Sequence, residues 1–326
     1  MRIGIVTPAP PRSLYGNRIT ALRWAKILKS LGHRVSLTQT YGGEPYDLLI
    51  ALHARRSYPA VRQFSREHPQ RPLIVALTGT DLYRDLARSR KAQRSLDLAT
   101  RIVTLQPKAL EALKPEWCEK TRVIYQSARL PGKRRITARS GRGVRSFDVC
   151  VAGHLRPVKD PFRAALAARR LPPSSCIRIL HLGAAMTPAM AARAHSEMKA
   201  NPRYHWLGEK PSGQVWRILR QSKLCVLSSK LEGGANILSE AIVAGTPVIA
   251  SRIPGSVGIL GEDYPGYFTV GRTDALAALL GRAESNSEFL ATLQARCRKL
   301  RPLFAPAREK AAWRNLLAEL CASQRS

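Results

Sequence analysis

The sequence predicts an α/β protein built of two consecutive doubly wound, parallel-sheet domains. Short apolar runs alternate with helix-period stretches along most of the chain, which is the pattern of βαβ units. The alternation also runs twice, interrupted by a stretch rich in Pro, Gly, Ser and Arg/Lys at 129–146. A chain of 326 residues, 44% of them apolar, is long enough for each half to bury its own core.

In the first half, IGIVT (3–7) reads as a strand. The loop PAPPRSLYGN follows, then a helix with Ile19, Leu22, Ala25, Leu28 and Leu31 on one face. Gly32 supplies the stop, and HRVSLTQ (33–39), DLLIAL (47–52), LIVALT (73–78), RIVTL (101–105) and RVIYQS (122–127) continue the strands. The second series is FDVCVAG (147–153), IRILHLG (177–183), YHWLG (204–208), KLCVLSS (223–229), PVIAS (247–251) and YFTV (267–270). Arg272 to about Cys321 reads as terminal helices, with Pro302 and Pro306 marking breaks. The expected organisation is a Rossmann-like domain at 1–130, a basic linker at 131–146 and a second Rossmann-like domain at 147–306. A last helix at about 307–322 crosses back to the first domain. Ligands of open α/β sheets bind at the carboxyl ends of the strands, so the site is expected in a cleft between the two domains.

The formal charge is +32. It suggests an anionic partner, but the arginines are spread along the whole chain and only 132–135 and 139–145 are dense. No aromatic residues interleave with that cluster as a single-stranded nucleic-acid platform requires. Most of the charge therefore reads as solvated basic faces, and no nucleic-acid partner is expected. The six cysteines lie far apart with no C-x-x-C pair, which fits reduced thiols rather than a disulfide framework or a zinc site. No apolar run is long enough to span a bilayer, and the N-terminal MRIGIVTPAPP reads as a strand and not a leader. The sequence reading is a cytoplasmic protein with no membrane partner.

Two segments carry chemistry, each directly after a strand of the second series. In SSKLEGGANILSEAIVAGTPVIAS (228–251), Glu232 lies on a loop, Gly233 and Gly234 open a helix ending before Gly245, and Glu240 lies on that helix. The glycines permit close backbone approach, and free amides at a helix start can face a phosphate or a hydroxyl. Glu232 can accept hydrogen bonds from sugar hydroxyls, and Glu240, about two turns and roughly 10 Å further on, meets another part of an extended ligand. In AGHLRPVKDP (152–161), Arg156 and Lys159 stand three apart at a helix entrance marked by Pro161 and can converge on one anion. An arginine fork with a mobile lysine suits a diphosphate leaving group.

The E-x7-E pair Glu232 and Glu240, the Gly153–Leu155–Lys159 pattern with Arg156, and the tandem layout resemble the GT-B glycosyltransferases of family 4. The resemblance implies that Arg156 and Lys159 hold the donor pyrophosphate, Glu232 faces sugar hydroxyls and Glu240 binds the ribose. It places the base at LGEKP (207–211), with Gly208, and adds Gly233, Gly234 and Asn236 to the donor site. Gly16 and Asn17 precede the first helix, where backbone amides can approach donor phosphates; Asn17 also reads as that helix's cap. This loop departs from the G-x-G-x-x-G dinucleotide fingerprint.

A narrower similarity is carried by MRIGIVTPAPPRS, GNRITALRWAKIL, LIVALTGTDLYRDL, VIYQSA, GHLRPVKDPFRAALAAR and LEGGANILSEAIVAGTPVIASRIPGSVGILGEDYPGYF. These strings are similar to the selenosugar synthases of selenoneine biosynthesis. That similarity implies transfer of a sugar from a UDP-sugar, UDP-N-acetylglucosamine or a relative, to selenophosphate, with a carbon–selenium bond formed at the anomeric carbon. A small anionic acceptor calls for cations in the first domain, where Arg12, Arg18, Arg55, Arg56 and Arg84 lie in or near the loops. His53 and Thr80 complete the expected acceptor site.

Many family-4 enzymes carry a first-domain histidine after the fourth strand, and here that segment is TGTD (78–81). Asp81 is therefore a candidate base or sugar ligand, and also a candidate helix cap. An alcohol acceptor benefits from a general base, whereas an anionic selenium needs only positioning and leaving-group stabilisation. No D-x-D, H-E-x-x-H or clustered His/Cys pattern is present, so no metal and no cofactor are expected. Two other readings remain: a family-4 transferase acting on a carbohydrate or lipid hydroxyl, and a nucleic-acid-binding module driven by the basic stretch 132–145.

Overall fold

The computed structural model describes residues 1–131 and 146–322, so most of the expected basic linker (132–145) lies outside the described residues. The described residues form two compact units. The first comprises Met1–Ser127, Glu232–Ala235 and the segment from Leu303 onward; the second comprises Ala128–Leu231 and Asn236–Pro302.

In the first unit the chain runs β1 (Arg2–Val6), α1 (Gly16–Ser30), β2 (Arg34–Thr38), β3 (Leu48–Leu52), α2 (Tyr58–Glu67) and β4 (Leu73–Ala76). A π-helical turn at Asp81–Asp85 precedes α3 (Arg90–Leu98), β5 (Arg101–Thr104), α4 (Pro115–Glu119) and β6 (Thr121–Val123). All pairings are parallel, in the order β2-β1-β3-β4-β5-β6. Strand side chains alternate between faces, and both faces are apolar because both are covered. Ile3, Ile5, Leu48, Ile50 and Leu52 share one core with Trp24 and Leu28 of α1. Leu49, Ala51, Leu73 and Val75 share the other with Val61 and Phe64 of α2 and Leu96 of α3.

The second unit runs β7 (Phe147–Ala152), α5 (Arg163–Ala168), β8 (Ile177–Leu182), α6 (Pro188–Ala200), β9 (Tyr204–Gly208) and α7 (Ser212–Gln221). It continues with β10 (Leu224–Leu227), α8 (Asn236–Ala244), β11 (Val248–Ser251), α9 (Pro254–Leu260), β12 (Tyr267–Phe268), α10 (Thr273–Ser285) and α11 (Ser287–Leu300). Its parallel sheet has the order β12-β11-β10-β7-β8-β9. The chain builds outward from β7 to one side, then returns to β10 on the other, which makes β7/β10 the topological switch point. In the first sheet the corresponding reversal separates β2 and β3 on either side of β1.

The last helix, α12 (Pro306–Ala322), belongs to the first unit. Trp313, Leu316, Leu317 and Leu320 enter the α1 core, and the Trp24 and Trp313 rings meet edge-on with centroids 4.8 Å apart. Glu309 is buried there; its carboxylate accepts from Trp24 Nε1 at 2.9 Å, from the Ser127 amide at 2.8 Å and from the Ser127 hydroxyl, and pairs with Arg23 Nε at 3.4 Å.

Three local expectations are corrected. The buried face of α1 is Thr20, Ala21, Trp24, Ala25 and Leu28, while Leu22 is 50% exposed. A strict step of three drifts around a 3.6-residue turn, so the true stripe mixes steps of three and four. Asn17 is not the cap of α1: the helix already includes Gly16, and Tyr15 stands at the cap position with no side-chain bond. Arg156 and Lys159 do not open an α-helix; Arg156 is extended, Pro157–Lys159 is a 3-10 turn, Asp160 turns left-handed at φ 44°, and α5 starts only at Arg163.

Glu309→Ala leaves the Ser127 and Trp24 donors buried without their acceptor. It is expected to lower the free energy of unfolding by about 3 kcal/mol in a urea titration, the range for breaking one partner out of a buried charged network.

Candidate active site

In the second unit, the loop leaving β7 carries the cationic pair. His181 of β8 is 1% exposed, with Nε2 3.1 Å from the Gly153 carbonyl and Nδ1 2.9 Å from the Tyr204 hydroxyl. A carbonyl only accepts, so Nε2 carries the proton and Nδ1 accepts from the tyrosine. Burial lowers the His181 pKa to about 4, with the bond to the Gly153 carbonyl working weakly the other way, and the ring is held neutral. Gly183 crosses the same loop at φ 145°; a Cβ there would stand 2.1 Å from the Gly153 oxygen, so only glycine permits the approach.

The loop is braced further on. Leu155 N donates to the Ala184 carbonyl at 2.9 Å, and Lys230 N donates to the Val158 carbonyl at 2.8 Å. The Ser228 hydroxyl, just after β10, lies 3.2 Å from the Lys159 carbonyl and 3.0 Å from the Asp160 carbonyl. The Lys159 stem passes over Gly153, its Cδ 3.8 Å from where a Cβ of that glycine would be. Arg156 Nε is buried and has no hydrogen-bond partner among the described residues. A buried guanidinium N–H of this kind is costly unless an acceptor meets it. Asn236 is the first residue of α8, two residues after Gly234, so the glycines precede the helix rather than open it. Glu240 lies part-buried on α8, and Gly208 ends β9 at φ 70° with its carbonyl accepting from Gly183 N at 2.8 Å.

In the first unit, the segment Glu232–Ala235 passes against the loop after β4. A Cβ on Gly79 (φ 138°) would lie 2.7 Å from Gly233 N, and one on Gly233 would lie 2.6 Å from the Thr78 carbonyl carbon. The close pass therefore puts Glu232 next to the Thr78–Asp81 loop and requires glycine on both sides. Asp81 is fully buried and accepts from the amides of Gly79 (2.8 Å), Thr78 (3.0 Å) and Ala54 (3.1 Å). It ties the β3 and β4 loops together; its lone pairs are spent on backbone amides and none is presented as a base. It does not cap a helix either, since Thr80 holds the cap position of the π-helical turn and Asp81 bonds backward.

His53, directly after β3, is 2% exposed and sits at φ 73°, a conformation uncommon for a side chain with a Cβ. Its Nε2 is 3.3 Å from the Thr80 hydroxyl and 3.9 Å from Asp85, and burial lowers its pKa more than Asp81 raises it. Arg55 is exposed and bonds Asp85. The remaining expected acceptor residues lie in the loop after β1 and at the start of α1. Arg12 is exposed at φ 62°, and Arg18 has a buried Nε with no partner among the described residues; Gly16, expected near the donor phosphates, is exposed. Three side chains with site-building roles escaped the sequence reading: His181, a polar residue in a mainly apolar strand, Ser228, and Asp85. Among the described residues no group of three or more His, Cys, Asp or Glu side chains could hold a metal ion, and no helix is long and apolar enough to cross a membrane.

Comparison with known proteins places this arrangement in a class. The fold matches the structure of Anabaena HepE in complex with UDP and glucose, with a TM-score of 0.75 at 16% identity over 98% of this chain and 100% of that one. It matches sucrose-phosphate synthase from Thermosynechococcus elongatus equally, at 0.75 and 15% identity over 99% of both chains. The fold is GT-B. Residues 133–300 match the family model described as glycosyl transferases group 1, and the chain belongs to that family. A D-inositol 3-phosphate glycosyltransferase of Corynebacterium glutamicum is 29% identical over 171 residues, 48% of this chain and 41% of the relative. Its counterpart in Nocardia farcinica is 29% identical over 45% of this chain and 36% of the relative. The matches thus span about two-fifths of the length of these relatives.

His181 gives a pH prediction. Its folded pKa of about 4 lies below the ordinary 6.5, so the unfolded chain binds the proton more tightly between those values. Stability contributed by the neutral ring is complete above pH 6.5 and falls as pH drops toward 4, by about 3 kcal/mol at the lower limit. Urea unfolding across this range should show the loss, and His181→Gln should flatten that part of the profile.

Proposed function

We propose that this chain is a metal-independent glycosyltransferase that moves N-acetylglucosamine from its UDP-sugar to selenophosphate. The observation that carries the donor half is the β7 loop. Arg156, whose buried Nε has no hydrogen-bond partner among the described residues, and Lys159 stand three residues apart on a turn braced by His181, Ser228 and Gly183. Such a preorganised pair of cations suits the β-phosphate of a departing nucleoside diphosphate. Glu240 takes the ribose, Gly208 and its loop the base, Glu232 the sugar hydroxyls, and the amides at Gly233, Gly234 and Asn236 the remaining donor oxygens. Solved structures with this fold include complexes with UDP and with UDP-glucose, which supports a UDP-sugar donor.

The acceptor reading rests on the similarity to selenosugar synthases and on the basic loops of the first unit. The selenium of selenophosphate is already anionic. It attacks the anomeric carbon, the C–Se bond forms as the C–O bond to UDP breaks, and the electron pair leaves with the diphosphate. No proton has to be removed from the nucleophile, which agrees with the engagement of Asp81 by three backbone amides. A second reading is favoured by the curated relatives: transfer to a hydroxyl of a phosphorylated polyol.

Mass spectrometry of products from UDP-N-acetylglucosamine with selenophosphate should find a seleno-sugar and one UDP per turnover. UDP release with a polyol phosphate but none with selenophosphate would replace the acceptor by the second reading. Lys159→Ala and Glu240→Ala should each lower kcat/KM for the UDP-sugar by about 10²-fold with an unchanged thermal midpoint. Near wild-type turnover in both variants would remove the donor assignment.

A further inference from the structure

We infer that Arg55 and Arg84, pinned by Asp85, form the binding site for a tetrahedral phosphate-type oxyanion carried by the acceptor substrate. This rests on the reading of the first unit as the acceptor half.

Asp85 closes the π-helical turn after β4, with its side chain 9% exposed. Oδ2 accepts from Arg55 Nε at 2.8 Å and Oδ1 accepts from Arg84 Nε at 3.3 Å. The two guanidiniums come from different loops, Arg55 following β3 and Arg84 following β4, and those strands are neighbours in the sheet. Both side chains are half exposed, 42% for Arg55 and 51% for Arg84. Each donates its Nε to the carboxylate, and their terminal amino groups make no hydrogen bond among the described residues.

Two positive charges thus share one negative charge, leaving an excess of one. A bidentate salt bridge would have engaged the Nη edge; this geometry instead holds each guanidinium by its stem side and leaves the outer Nη groups available. Paired guanidinium edges of that kind match the oxygens of a phosphate, which a neutral hydroxyl acceptor would not need. The neighbourhood is built rather than incidental. Asp81 ties the same two loops through Ala54 N and Gly79 N, and the strained His53 packs between Thr80 and Asp85. Asp85 acts through the arginines and is a positioning residue. The oxyanion has two sources with the same chemistry: free selenophosphate, or a phosphomonoester on a polyol.

The test uses the full-length protein with UDP saturating, so that the Arg156/Lys159 loop is filled, and titrates inorganic phosphate calorimetrically. Phosphate should bind the wild type, and Arg55→Gln and Arg84→Gln should each weaken it about tenfold without changing UDP affinity. In turnover, Asp85→Asn should raise the KM for the acceptor about tenfold with the KM for UDP-sugar unchanged, and Asp85→Glu should recover part of the loss. The acceptor whose KM moves, selenophosphate or an inositol phosphate, identifies the source. Phosphate binding by both arginine variants equal to the wild type, or an unmoved acceptor KM in all variants, overturns the inference. Loss of phosphate binding in the arginine variants, with no turnover of either acceptor, would keep this site and reject the proposed reaction.

Discussion

Every strand in both sheets is parallel, so all strand carboxyl ends of a sheet lie on one edge and the loops that leave them are neighbours. From this constraint the placement of the candidate chemistry follows. Residues distant in sequence reach the same edge simply because their strands are adjacent in order. Arg156 and Lys159 follow β7, Ser228 follows β10, and those strands pair at Leu224↔Val149 and Cys225↔Cys150. His53 and Arg55 follow β3 while Thr80, Asp81 and Asp85 follow β4, and those strands pair from Leu49↔Leu73 to Leu52↔Ala76. The loops carry the candidate side chains, and the sheet supplies the rigidity that holds them.

Rigidity alone would leave the loops loose, and buried polar groups supply the second level of order. In the second unit a neutral histidine does this, its proton fixed on Nε2 by a carbonyl that can only accept. In the first unit two carboxylates do it by different means. Asp81 gathers backbone amides, whereas Asp85 gathers arginine stems. Both carboxylates lie within one π-helical turn, a distorted helix geometry often found at functional positions. Unsatisfied, any of these groups would be expensive to bury; satisfied, they set the conformation of the loops around them.

Much of the fold was legible in the sequence because hydrophobic periodicity reports directly on sheet and helix. The strand expected at 47–52 forms as Leu48–Leu52, all five residues fully buried, and the second-series strands fall within two residues of expectation at most boundaries. The face of α1 was misread because apolar residues at a spacing of three imitate a stripe, while Trp24 with Ala21, Ala25 and Leu28 forms the real one. The turn after Arg156 was misread because a proline two residues past Lys159 signals a helix start locally, and the left-handed Asp160 that prevents it has no local signature. Of the candidate site, the cations and carboxylates on loops after strands were visible by position. The roles of Asp81, Asp85 and His181 were not, since each depends on partners from another strand's loop. The Gly79–Gly233 pass is tertiary in the same sense.

The central claim is that the β7 loop holds a nucleoside diphosphate. Isothermal titration of UDP into the full-length protein tests it without any assumption about acceptor or product. UDP should bind one per chain, and Arg156→Gln should weaken it at least about tenfold, since it removes a charge-assisted donor from a preorganised loop. Absence of UDP binding to the wild type, or equal affinity in the variant, would contradict the account.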